Sequence, residues 1–251
     1  MLLSILYYHA LYIQPLFDSV PLDHRVQSPT LITVKTSSLL LKTIRTGGDR
    51  NLAYVVADAS SATAMIIDPS FSPRSVVEAA EDLRLKVRYV FCTHGHIDHT
   101  NGNDSIRRLL GIDPLLFRDT DPVTGKQILH RSRLPLGNLT IEVLHTPGHT
   151  DDSMCFRIGD AVFTGDTLFV GKIGGTGFGR DALAEYESLH RELMTLPDDV
   201  RVFPGHDYGL TPTSTIGHER RTNPFLLRPD FESFVQLKRT WTQYKLDHGI
   251  A

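Results

Sequence analysis

The sequence predicts one α/β domain, and three features predict it. Short β-rich runs alternate with amphipathic helical stretches along most of the chain. Apolar residues make up 41% of the 251, enough to bury a sizeable core. No repeat, low-complexity tract or linker divides the sequence. In chain order, residues 1–30 are set apart as a poorly ordered N-terminal extension. Met1 to Phe17 is apolar but interrupted by His9, Gln14 and Pro15, too short and broken for a stable membrane span. The first Lys or Arg is Arg25, so the stretch matches neither a secretory signal nor an Arg-rich leader, and a cytoplasmic protein is expected.

Residues 31–251 form the domain, ending in a short helical tail. Leu39 to Leu41, Leu52 to Val56 and Ala64 to Ile67 read as strands, the last stopped by Asp68-Pro69. Ser72-Pro73 marks a helix start, with Val76, Val77, Ala80 and Leu83 as its apolar face. Val87 to Cys92 is a short strand, and Ile106 to Leu110 ends a second helix. Leu139 to Leu144, Met154 to Ile158 and Ala161 to Thr164 form a second group of strands. Asp181 to Leu196 reads as a helix carrying Leu183, Tyr186, Leu189, Leu193 and Leu196 on one stripe. Arg201 to Phe203 is a last strand, and Phe231 to Asp247 a terminal helix.

Composition excludes some functions. With 26 Lys and Arg against 29 Asp and Glu, the net charge is -3, which argues against a protein that grips nucleic acid through phosphates. Two cysteines, Cys92 and Cys155, cannot build a disulfide framework or a four-cysteine zinc site. Both lie in apolar runs and read as buried, inert thiols.

The chemistry begins where the strand Val87 to Cys92 ends, in Thr93-His94-Gly95-His96-Ile97-Asp98-His99-Thr100. Residues two apart in extended backbone project to one side, so His94 and His96 can reach one ion together. If a helix follows near Thr100, Asp98 and His99 swing toward a second position. Imidazole with carboxylate suits zinc, iron or manganese rather than calcium. Three later points share a design, each a polar ligand beside glycine at a strand end: His149 in Pro147-Gly148-His149, Asp166 in Gly165-Asp166, and His206 in Pro204-Gly205-His206. Together these give seven ligand candidates, enough for two metals sharing one carboxylate.

From about Leu41 to Phe225 the sequence resembles the metallo-β-lactamase fold superfamily, and within it glyoxalase II (the hydroxyacylglutathione hydrolases) and the persulfide dioxygenases. The resemblance implies a four-layer αββα sandwich with the metal site at one edge, between two sheets. Carried over by motif, His94, His96 and His149 hold one metal, Asp98, His99 and His206 the other, and Asp166 bridges them. Two divalent ions are implied, zinc first, with iron also compatible. The resemblance makes Asp98 and Asp166 the expected catalytic carboxylates. A water shared by two cations loses its proton near neutral pH, and the bridging hydroxide attacks a thioester carbonyl. The thiolate leaves without a strong general acid, and the sequence contains no G-x-S-x-G elbow. The other implied activity is that of a persulfide dioxygenase acting on glutathione persulfide, with one iron on residues matching His94, His149 and Asp166. His206-Asp207-Tyr208, Ser214-Thr215, Glu219-Arg220 and His149-Thr150-Asp151 lean toward that family, whereas all seven dimetal ligands lean toward the hydrolase.

Around the substrate this chain departs from both relatives. They carry a Cys-Gly-Lys or Cys-Gly-Arg type segment after the bridging aspartate, where this chain reads Val170-Gly171-Lys172-Ile173-Gly174-Gly175-Thr176-Gly177. Lys172 and Arg180 are the candidates to replace the missing basic residue, and Tyr208 matches a tyrosine that contacts glutathione in the relatives. The 45 residues after His206 are short for the helical domain of glyoxalase II. The expected partner is a small thioester or glutathione conjugate.

Other residues read as bland. His190 sits on a polar helix face, and His9, His24, His130, His218 and His248 read as surface positions. His145 is a candidate support for the metal ligands, Asp68 a buried structural group near the site, and Arg220 and Arg221 an exposed pair in a loop. A β-lactamase, a nuclease, a quorum-signal lactonase and a metal-stabilised scaffold are the competing classes. Seven ligands for two ions leave positions open for water, unlike a closed structural zinc site, and this favours an enzyme.

Overall fold

A computed structural model of the chain describes residues 38–250. The extension at residues 1–30 and the domain start at residue 31 lie outside the described residues. The described part contains a first sheet, β1 (Leu39–Gly47), β2 (Asn51–Asp58), β3 (Thr63–Ile67) and β4 (Lys86–Phe91), in that spatial order. Pairing is antiparallel except for β3 with β4, which the helix α1 (Pro73–Asp82) connects as a parallel crossover. The short α2 (Ile97–Thr100) and α3 (Asn103–Leu110) follow β4.

The second sheet comprises β5 (Arg133–Leu136), β6 (Leu139–His145), β7 (Met154–Ile158) and β8 (Ala161–Gly165). After the hairpin β9 (Leu168–Phe169) and β10 (Lys172–Ile173) come α4 (Arg180–Ser188), a π turn (Leu189–Leu193), β11 (Arg201–Pro204), β12 (Ser214–Thr215), α5 (Ile216–Thr222) and α6 (Phe231–His248). The sheet order is β12-β11-β8-β7-β6-β5, with β11 parallel to β8.

Strand β2 shows why the layers form. All eight of its residues are buried, so both faces are covered. Leu52, Tyr54 and Val56 face the second sheet, packing in one cluster with Phe91, Val143, Phe156 and Phe163. Ala53, Val55 and Ala57 face the other way, onto Val76, Val77 and Ala80 of α1 and Ile106 of α3. On the far side, Cys155, Val162 and Val202 meet Ala182, Leu189, Ile216 and Phe234 of the second helical layer. These three apolar clusters separate four layers, αββα, as the resemblance implied. Tyr54 crosses the central core and donates a hydrogen bond to the Pro204 carbonyl at 2.6 Å, tying β2 to β11.

Several local expectations are corrected. Ser72 precedes Pro73 at the helix start but does not cap it, because its hydroxyl donates to the Thr46 carbonyl at 2.8 Å. Leu83 lies past the end of α1 and is exposed, and Ala79 takes its place in the core. The predicted helix Asp181 to Leu196 is broken at Ser188 by the π turn. Leu183 is exposed while Ala182 and Leu189 are buried, since two three-residue steps leave Leu183 about 120° from Leu189 around a helix of 3.6 residues per turn. Strand β5 was not foreseen, because Pro135 marks it as an edge strand. Arg220 and Arg221 lie on α5 rather than in a loop, where both bind Asp198 and Arg220 also donates to the Met194 and Leu196 carbonyls. His190 is half-buried against Tyr186 rather than solvated, with ring centroids 4.3 Å apart, and burial lowers its pKa. No helix among the described residues is long and apolar enough to cross a membrane.

Candidate metal centre

The seven ligand candidates leave the ends of β4, β6, β8 and β11, which share one rim of the two sheets. His94 and His96 follow β4, with Asp98 and His99 on α2. His149 occupies the turn after β6, Asp166 follows β8, and His206 follows β11. Glycines beside them permit close approach. A Cβ at Gly205 would lie 2.5 Å from Asp166 Oδ1, and Gly148 has φ +145°, where a side chain would also strike the Glu185 backbone.

These side chains converge into three groups whose ligand atoms lie within 4.8 Å of one another: His94, His96 and His149; His94, His99 and Asp166; and Asp98, His99 and His206. In the first, His96 Nδ1 is 3.0 Å from His94 Nε2 and 2.9 Å from His149 Nε2. Three ring nitrogens that close are spaced as for one ion about 2.0–2.1 Å from each. In the third, His206 Nε2 is 3.4 Å from Asp98 Oδ2, and His99 Nε2 is 3.6 Å from the same oxygen. Asp166 stands between, with Oδ2 3.5 Å from His149 Nε2 and 3.4 Å from His206 Nε2, and Oδ1 3.4 Å from His99 Nε2.

Four of the five histidines are oriented from behind, and His96 instead turns its Nδ1 toward His94 and His149. Carboxylate and carbonyl oxygens only accept, so their partners must donate. His99 Nδ1 donates to Asp68 Oδ2 at 2.9 Å, His206 Nδ1 to the Asp49 carbonyl at 2.8 Å and His149 Nδ1 to the Gly175 carbonyl at 2.8 Å. Thr93 Oγ1 donates to Asp68 at 2.9 Å, which leaves it to accept from His94 Nδ1 at 3.1 Å. In the neutral tautomer all four rings therefore present an Nε2 lone pair to the centre. His99 Nε2 and Asp166 Oδ1 are buried without a hydrogen-bond partner among the described residues. Such orphaned acceptors are costly unless a cation meets them, so the donor set fits divalent metal.

The electrostatics agree. Burial favours the neutral form of His94, lowering its pKa to about 2, and also lowers that of His149. Burial pulls His99 down too, yet the Asp68 and Asp166 carboxylates overcome it and lift the ring to about 11. His206 is likewise raised against burial by Asp166. Asp166 is held well below the usual carboxylate range, His206 and His99 outweighing its burial. Protons on His99 and His206 occupy the places that a divalent ion would take.

The supporting groups were less legible in the sequence. Asp68 is more than a nearby structural group, since it also accepts from the Thr93 backbone at 2.7 Å and from His99. Asn51 Nδ2 donates to Asp98 Oδ2 at 3.1 Å. A Gly47-Gly48 pair precedes Asp49 and Asn51, a turn signal that carries no pointer to the metal ligands. His145 supports the loop rather than a ligand, with Nε2 2.8 Å from the Asp151 carbonyl and its ring stacked 3.9 Å from Phe117.

The three substrate candidates are divided. Tyr208 stacks on His206 with ring centroids 4.7 Å apart, and its hydroxyl donates to Asp49 at 2.5 Å. Lys172 Nζ lies 4.2 Å from the Tyr208 ring centroid, and the Arg50 guanidinium 5.0 Å from it. These residues line a groove of about 1020 Å³ that continues along α5 to the end of α6. Arg180 lines a different hollow of about 300 Å³, with Arg118, His145 and Gly148. It does not share the groove with Lys172. Both cysteines are buried, and burial pushes Cys155 up to about 11 and Cys92 higher still.

Comparison with known proteins agrees with this geometry. Residues 46–206 match the family described as the Metallo-beta-lactamase superfamily. The persulfide dioxygenase ETHE1 of Homo sapiens is 33% identical over 190 residues, spanning 73% of this chain and 74% of that protein. A probable polyketide biosynthesis zinc-dependent hydrolase, BaeB of Bacillus velezensis, is 28% identical over 207 residues, spanning 79% and 91%. The crystal structure of ETHE1 from Myxococcus xanthus aligns with a TM-score of 0.73 at 32% identity, covering 80% of this chain and 91% of that one. With the matched family spanning more than half its length and the four layers in place, the chain belongs to the metallo-beta-lactamase superfamily.

Proposed function

We propose that this protein is a two-metal hydrolase of thioesters, acting on a hydroxyacylglutathione or a related small thiol conjugate. One observation carries the reading: seven side chains form two three-ligand groups with Asp166 between them, and the second group is built as carefully as the first. His94, His96 and His149 would hold one cation, Asp98, His99 and His206 the other, and Asp166 both, with zinc the first expectation. When bound, the pair of cations lowers the pKa of water toward neutrality and polarises the substrate carbonyl.

The chain's own residues do the rest. Asp68, Asp49, Gly175 and Thr93 keep four imidazoles in the ligating tautomer. Asn51 holds the Asp98 carboxylate. Neither cysteine supplies a nucleophile, since both thiols are buried and their ionisation is suppressed. A thiolate is a good leaving group, so thioester hydrolysis requires no strong general acid. Lys172 and Arg50 flank Tyr208 beside His206, and two cations there suit an anionic thiol carrier.

The other reading is a persulfide dioxygenase with one iron on His94, His149 and Asp166, supported by the 33% identity to human ETHE1. That trio is also drawn together, with His149 Nε2 3.5 Å from Asp166 Oδ2 and His94 within 4.8 Å of each, but a single ion there leaves the Asp98, His99 and His206 group uncompensated. Thiol release from a panel of acyl-glutathione and other acyl thioesters tests the proposal. Metal-dependent hydrolysis that Asp166→Ala abolishes in a folded protein supports it. Oxygen uptake with glutathione persulfide, and no thioester cleavage, would replace it by the second reading.

A further inference from the structure

The turn that carries His149 is held from below by residues with no part in the ligand set. Ser188 Oγ of α4 donates to the Pro147 carbonyl at 2.7 Å, and the Glu185 backbone of the same helix packs against Gly148. On its other side, His149 Nδ1 donates to the Gly175 carbonyl. The peptide that presents this carbonyl is itself fixed. Gly174 is wedged so tightly that a Cβ would collide with the Asp166 carbonyl and lie 3.1 Å from His149 Nδ1. Its own carbonyl accepts a hydrogen bond from Lys238 Nζ of α6 at 3.1 Å. The Lys238 ammonium also donates to Glu185 Oε2 at 2.5 Å, and the two side chains are only 6% and 1% exposed.

A buried lysine–glutamate pair is a poor device for stability alone, because two well-packed apolar side chains usually serve as well. Here the pair joins α4 and α6 at the loop that sets the tautomer and direction of a ligand. We propose that Lys238 is a positioning residue for His149: paired with Glu185, it fixes the Gly174–Gly175 segment so that the Gly175 carbonyl orients the imidazole toward the ion shared with His94 and His96. The inference is independent of the reaction, since His149 is a ligand in both the hydrolase and the dioxygenase readings. It makes metal retention depend on the C-terminal helix, residues 231–248, more than 80 positions after the ligand.

Lys238→Met, alone and in the double variant with Glu185→Gln, tests the inference in the full-length protein carrying His206→Ala, which leaves only the site of His94, His96 and His149 fully equipped. Zinc affinity is read by competition with a chromophoric chelator, and the coordination sphere by the absorption bands of the cobalt-loaded protein. Loss of an outer partner of a metal-ligating histidine costs 10- to 100-fold in affinity. Lys238→Met is expected to show that loss with shifted cobalt bands and an unchanged near-ultraviolet circular dichroism spectrum. The double variant leaves no buried charge unpaired; it is expected to keep the fold even if the single variant does not, and to show the same weakening. Zinc affinity within threefold of the parent, with unshifted cobalt bands in either folded variant, would overturn the inference. So would an affinity loss that His149→Ala does not itself produce.

Discussion

Replacing Asp68 probes how far the metal site depends on a residue that cannot reach the metal. Asp68 is 2% exposed and accepts three hydrogen bonds, from the Thr93 backbone at 2.7 Å, from Thr93 Oγ1 at 2.9 Å and from His99 Nδ1 at 2.9 Å. Asp68→Ala orphans three buried donors. At about 1–3 kcal/mol for each, the cost is about 3–9 kcal/mol, a large part or all of the stability of an ordinary domain. The alanine variant is therefore expected not to accumulate folded. Asp68→Asn is the informative change. Its amide oxygen can still take the Thr93 backbone donor, but the NH₂ group now faces His99 Nδ1 and cannot accept from it. His99 must turn or change tautomer, and metal affinity should fall 10- to 100-fold, about 1.4–2.7 kcal/mol. Chelator competition measures the affinity and urea denaturation confirms the fold. A folded Asp68→Asn protein binding both ions within threefold of wild type would refute the orienting role.

Other expectations follow from the same geometry. Metal uptake should release protons from His99 and His206, whose pKa values the neighbouring carboxylates raise, to about 11 for His99. The affinity should therefore climb with pH across 6 to 9, in the direction of proton displacement, and calorimetry in buffers of different ionisation enthalpy would show at least one proton per pair of ions; pH-independent binding would contradict this. Tyr208→Phe removes the hydroxyl bonded to Asp49 at the edge of the groove, and should raise the KM for a glutathione thioester with kcat little changed. An unchanged KM removes this hydroxyl from substrate binding. Gly148→Ala combines a strained backbone at φ +145° with a collision against α4; a loss of roughly 2–5 kcal/mol in urea unfolding is expected, together with weakened metal binding.

The sequence carried the ligands because each is a local event. Three histidines and an aspartate within six residues, and three glycine-flanked groups at strand ends, are visible without any knowledge of packing. The apolar run of β2 was equally plain as a strand, although a run buried on both faces does not say which neighbours cover it. What escaped was everything that depends on contact between distant segments. Asn51 meets Asp98 across 47 positions, Asp49 meets His206 across 157, and Lys238 meets Gly174 across 64. None of these has a periodicity or a spacing to betray it. That Arg180 and Lys172 line different hollows was hidden for the related reason that nearness in sequence does not place two side chains together. The break after Ser188 was hidden because leucines three apart resemble a stripe while drifting around the helix.

Native mass spectrometry of the purified protein, counting metal ions per chain, bears most directly on the two-site reading. Two divalent ions per chain are expected, falling to one in His206→Ala, with thioester cleavage lost alongside the second ion. One tightly held iron per chain, unchanged in His206→Ala and accompanied by oxygen uptake with a persulfide, would contradict it.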